Sequence, residues 1–132
     1  MSGLVRVAHC EGDVFEIATG GHVLRVDQPV DAGGTDTAPT PTELFVAGLA
    51  SCVAFYARRY LARHALSTKG LSVTAALDLA ERPARVGEVR IILSVPEGVP
   101  EERRAALLAV ASHCTVHNSL VQPPDVRIDL AG

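Results

Sequence analysis

Tryptophan is absent, there are two tyrosines and three phenylalanines, and only three cysteines occur in 132 residues. Three cysteines are too few for a disulfide scaffold, so thiols that matter in such a chain are catalytic, redox-active or metal-bound. No uninterrupted apolar run reaches the ~18 residues of a membrane span. The N-terminus "MSGLVRVAHCEGDVF" lacks a charged segment followed by a long apolar one, so no signal peptide is read there and a cytoplasmic protein is expected. Charge of one sign is also missing: 12 Lys and Arg face 15 Asp and Glu, for a net −3. With aromatics at 4% and no basic stripe, nucleic acid is not an expected partner. No internal repeat or low-complexity tract is visible.

What is present is apolar: 48% of residues, with 20% charged and a mean hydropathy of +0.24. One compact domain over 1–132 is expected. Its apolar surplus points to a core shared with a second subunit, hence a homodimer. Three short β-like runs fill residues 1–30, two of them around Gly20-Gly21 as a hairpin. Residues 31–40 form a loop rich in Pro, Gly, Asp and Thr. A helix is predicted over 41–66, with Thr40 as N-cap, Pro41 at the first helical position and Glu43 closing a capping box. Its first half is apolar on every face, which predicts burial on all sides. Strands follow within 71–95, then a second helix over 100–121, whose end "CTVHNSL" either continues it or breaks into a short extra turn, and a last strand over 125–130. The order is that of an α+β domain with antiparallel sheet and the helices on one face of it.

Two thiols stand out. Cys52 lies in the apolar run "LFVAGLASCVAFYARRY", and Cys114 sits between histidines in "SHCTVHNSL". They read as redox partners, as metal ligands together with His113 and His117, or as core filler. A two-thiol redox couple needs an accessible thiolate, a second thiol able to approach to ~4 Å between Cβ atoms, and something that favours ionisation of the first. Leu49, Val53, Phe55 and Tyr56 offer Cys52 an apolar vestibule. Cys10 has no partner motif and reads as structural.

The segment "GGTDTAPTPTELFVAGLASC" resembles the Gly-rich loop, Pro-x-Glu-Leu helix start and buried helix of the OsmC/Ohr family, the osmotically inducible and organic-hydroperoxide-resistance proteins. "HCTVHNSL" resembles the second cysteine motif of its OsmC-like branch, and the element order agrees over nearly the whole chain. The resemblance implies an OsmC-like α+β fold with antiparallel sheets and two main helices, the Cys52 helix lying centrally in an intertwined homodimer. It implies a thiol-dependent peroxidase of organic hydroperoxides in which Cys52 reacts first and Cys114 resolves. No bound cofactor is implied; an external dithiol or lipoyl-type reductant is. It further implies an activating acid and arginine. Glu43, nine residues before Cys52, is the candidate acid. On a continuous helix that spacing sets the two on opposite sides, so contact needs a helix break or a second subunit. Arg6, Arg25 and Arg59 are the candidate cations. A non-enzymatic ligand-binding or redox-sensing protein of the same fold is the alternative.

Overall fold

The computed structural model describes residues 3–132. The chain divides within its longest helix into two compact units, Met1–Val46 and Ala47–Gly132.

The first unit is a three-stranded antiparallel sheet in the order β1 (Arg6–Glu11), β2 (Val14–Thr19), β3 (His22–Val26). Ile17 pairs with Val7 on one side and Leu24 on the other. Gly20 and Gly21 make the β2–β3 turn with φ of 57° and 78°. Two consecutive left-handed residues are what the tightest hairpin turn demands, and glycine adopts them without strain. After β3 the loop folds back on itself around Asp27. A Cβ on Gly34 would lie 2.0 Å from the Gln28 carbonyl oxygen, so this close approach admits no side chain. The helix α1 (Pro41–Arg63) then starts with both bonds of the expected capping box. The Glu43 amide donates to Thr40 Oγ1 and the Thr40 amide donates to Glu43 Oε1, each at 3.0 Å.

The second unit holds the rest of α1, the hairpin β4 (Ser72–Ala80) and β5 (Arg85–Ser94), and the helices α2 (Glu101–Ser112) and α3 (Thr115–Val121). The β4–β5 register sets Val73 opposite Leu93 and Leu77 opposite Val89. Their period-two alternation turns Val73, Val89, Ile91 and Leu93 towards the helices. The core is the α1 stripe Leu49, Val53, Ala57 and Leu61, spaced by one turn, against Leu107, Ala111 and Cys114. By length and composition α1 could cross a bilayer, with a mean hydropathy of 1.2 over its best window. That stripe nevertheless lies in the core of the second unit, which is how its hydropathy is used.

One expectation, burial of α1 on all sides, is met only in part by a single chain, and two others need correction. The helix α1 is not covered on all sides by this chain: Phe45, Ala47, Gly48, Ser51 and Phe55 remain exposed, because one stripe satisfies the second unit's core. The second helix is two helices, broken where His113 leaves helical geometry and Cys114 becomes extended (φ −72°, ψ 159°). Residues 125–130 join no ladder, and Val126, Ile128 and Leu130 are exposed. Their alternation matches a strand, but a strand exists only beside a partner with free N–H and C=O groups.

Candidate functional site: two thiols between α1 and α3

The helix α1 places Cys52, half-buried, on the edge of its core stripe between Leu49 and Val53. Cys114 is fully buried and is the N-cap of α3, its Sγ accepting the His117 amide at 3.4 Å. Cysteine is not a usual cap, and this role explains the break: the extended cap residue turns the sulfur back over the first turn of the new helix. Cys52 packs against the core cluster that includes Cys114. Burial pushes the Cys114 thiol above its ordinary value. The neighbouring Cys52 thiol, through its polarity and through the charge it carries when ionised, pushes the same way, against the amides of His117 and Val116. Cys114 therefore keeps its proton.

A cavity of about 250 Å³ opens beside the pair, lined by Leu49, Val53, Ile91, Leu93, Leu108 and His117, among others. Neither sulfur forms its lining, but Leu49 and Val53 flank Cys52 on α1. Of the expected vestibule, Leu49 and Val53 are in place. Phe55 is exposed, under the Arg59 guanidinium at 5.4 Å, and Tyr56 lines a different cavity with Tyr60, Arg63 and His64.

His117 Nδ1 is bonded to the Ser112 carbonyl, and His113 Nδ1 to the Ala109 carbonyl at 2.7 Å. A carbonyl only accepts, so both rings carry their proton on Nδ1. Both rings are thus tied to the backbone at the end of α2. Among the described residues no three His, Cys, Asp or Glu side chains converge as metal ligands, so the four-ligand set of Cys52, His113, Cys114 and His117 is not assembled.

The remaining candidates lie as follows. Glu43 is engaged in its cap, and α1 runs unbroken from Pro41 to Arg63. Arg25 pairs across strands with Glu16 at 3.6 Å, and Arg59 is held over Phe55. Cys10 is exposed on the edge strand β1, not a packed structural thiol. Sequence reasoning missed the hydrogen bond of 2.7 Å between Tyr56 Oη and Thr115 Oγ1. The available signal was spacing: Tyr56 follows Cys52 by one helical turn and Thr115 follows Cys114 directly.

A long helix carrying one thiol against a buried second thiol, in an α+β chain with two antiparallel sheets, defines a dithiol protein of the OsmC/Ohr fold. A family model described as OsmC-like protein matches residues 34–129. The chain belongs to the OsmC-like family. Solved structures of the same fold include a Psychrobacter arcticus 273-4 protein named for osmotic stress induction and a detoxification response. It has a TM-score of 0.82 and 22% identity, over 90% of each chain. An organic hydroperoxide resistance protein OsmC from Legionella pneumophila gives a TM-score of 0.66 at 22% identity, covering 91% of this chain and 89% of that one. One from Elizabethkingia anophelis gives 0.71 at 20% identity, over 90% and 87% respectively. No curated protein matches the sequence.

Proposed function

We propose that this chain is a thiol-dependent peroxidase that reduces organic hydroperoxides through a two-cysteine cycle. The observation that carries the reading is the packing of a half-buried Cys52 against the core cluster that holds a buried, proton-retaining Cys114, beside an apolar cavity. The Cys52 thiolate attacks the terminal oxygen of ROOH. The O–O bond breaks, Cys52 becomes a sulfenic acid, and the alkoxide takes a proton to leave as ROH. Cys114 then gives up its proton and attacks the sulfenic sulfur, forming the Cys52–Cys114 disulfide and releasing water. Two thiol groups of an external dithiol, such as a lipoyl-type reductant, restore both cysteines by exchange and leave as a disulfide. The family relatives named for organic hydroperoxide resistance support the reading. The working form is a cytoplasmic homodimer, supported by the apolar side chains this chain leaves exposed, among them Phe45, Phe55, Ile92 and Ile128. In it Glu43 orients or activates a thiol through the second subunit while still capping its own helix.

The test is stoichiometric cumene hydroperoxide on the reduced protein. Two thiols should disappear into one intramolecular disulfide, Cys52→Ser should abolish the reaction, and Cys114→Ser should stop at the sulfenic acid. Unchanged thiols sink the peroxidase. That result would favour a non-enzymatic OsmC-like protein that binds a small apolar ligand or senses redox state, a reading favoured by Arg25 and Arg59 both having other partners.

A further inference from the structure

We infer that Tyr56 and Thr115 are positioning residues that set how readily Cys114 closes onto Cys52; this rests on the two-cysteine reading above. The helix that carries Cys114 at its start has seven residues and no buried side chain. So short a helix does not hold itself together, let alone in place. Half-buried Val116 and His117, the fully buried Cys114, the side-chain bonds of His117 and Asn118 to the end of α2, and the bond between Tyr56 Oη and Thr115 Oγ1 hold it in place. Among the described residues that bond is the one side-chain hydrogen bond between α1 and α3, and it is 2.7 Å long. Its placement matters more than its strength. Tyr56 stands one turn beyond Cys52 on the same face of α1, and Thr115 is the next residue after Cys114. The packing of the Cys52 and Cys114 side chains in one cluster and the hydroxyl bond are therefore parallel tethers about one helical turn apart. With both made, α3 can neither slide along α1 nor swing its first residue away.

Closing the disulfide brings the two sulfurs to a covalent bond of ~2 Å, and the rate and equilibrium of that step depend on how often the sulfurs already face each other. Losing one neutral hydrogen bond should lower that local concentration about three- to tenfold. The equilibrium can be read without any peroxide. The dithiol and glutathione disulfide give the Cys52–Cys114 disulfide and two glutathione thiols, so electrons and protons balance.

The experiment is a glutathione redox titration of wild type, Tyr56→Phe, Thr115→Val, Thr115→Ser and the Tyr56→Phe/Thr115→Val double variant. It is paired with the lifetime of the Cys52 sulfenic acid after one equivalent of cumene hydroperoxide. Tyr56→Phe and Thr115→Val should each lower the glutathione equilibrium constant three- to tenfold and lengthen the sulfenic acid lifetime by a similar factor. The rate of the first oxidation should not change. Thr115→Ser should restore wild-type values, and the double variant should be no worse than either single one. A merely structural role would lower the melting temperature and leave these ratios unmoved. Values within twofold of wild type in both single variants overturn the inference. If wild type forms its disulfide with glutathione but ignores the peroxide, the peroxidase reading fails and the clamp is judged on the equilibrium alone. A wild type that forms no disulfide under either oxidant ends both.

Discussion

Asp27 in the first unit and Cys114 in the second are both acidic groups, both almost wholly buried, and both accept backbone amides at a turn. Their proton affinities move in opposite directions. Asp27 receives five donors: the Gln28 amide at 2.7 Å on Oδ1, and on Oδ2 the amides and hydroxyls of Thr35 and Thr37 at 2.7–3.3 Å. These bonds, led by the Thr35 hydroxyl, overcome burial and hold the carboxyl well below the usual range. Cys114 receives an amide at a sulfur distance of 3.4 Å, and the ionisable group that adds to its shift is another thiol. There burial wins and the proton stays. Burial alone does not decide a buried acid's charge; the number and quality of its donors do. The first arrangement holds its charge, while the second holds its proton.

The largest effect should follow from spoiling the site that holds its charge. In Asp27→Asn an amide must replace one carboxylate oxygen. Facing the threonines, it leaves two backbone N–H groups without an acceptor; turned round, it opposes the Gln28 N–H. A fall in melting temperature on the order of 10 °C is expected from thermal denaturation. The pH dependence carries the sign. A folded carboxyl held below its unfolded value, near 3.8, contributes stability that is complete above that value and is lost as pH falls below it. Denaturant midpoints measured between pH 7 and 3 should fall steeply in wild type and less in Asp27→Asn. Parallel curves would break the contrast with Cys114.

The start of α1 was legible because "TPTE" states its cap, first-turn proline and reciprocal carboxylate in four adjacent residues. The Gly20-Gly21 turn was legible for the same local reason. Both cysteines could be singled out because an apolar helix and a histidine-flanked turn are distinctive settings. The break at Cys114 was half legible: "CTVHNSL" reads either as a continuation of the helix or as a short extra turn, and a sulfur cap has no signature in spacing that decides between them. Asp27 was hidden too: its donors lie up to ten residues away and are joined only by the fold of a loop. The segment 125–130 shows the limit of periodicity in the other direction. Alternation specifies a face, and the fold must still supply a neighbour.

A smaller effect is expected at the site that holds its proton. Cys52 contributes two of the causes that raise the Cys114 thiol, although burial contributes most. Removing it in Cys52→Ser should shift the alkaline titration of Cys114, followed by thiolate absorbance, back towards its ordinary value without reaching it. The stability sign is the reverse of Asp27. A thiol whose folded pKa lies above its unfolded one, near 9.0, stabilises fully below that pH and loses its contribution as pH rises through the folded value. Chemical denaturation from pH 8 to 10 should therefore cost wild type more stability than Cys114→Ser. Equal losses would mean that the buried thiol does not govern its own unit.

The smallest effect belongs to a charge that neither burial nor a set of donors controls. Arg25 meets Glu16 at 3.6 Å across β2 and β3, with their side chains 61% and 43% exposed. Water solvates both partners as well as they solvate each other, so Arg25→Ala should change the unfolding free energy by no more than about 0.5 kcal/mol, and less in high salt. The same variant tests Arg25 as the activating cation, because stability and chemistry separate cleanly at an exposed position. If the first oxidation of Cys52 slows tenfold or more while the denaturant midpoint holds, Arg25 acts on the thiols and its pairing with Glu16 is one it must exchange. If both hold, Arg25 is a solvated strand residue, and the proton-retaining Cys114 is left as the polar group packed in the same cluster as Cys52.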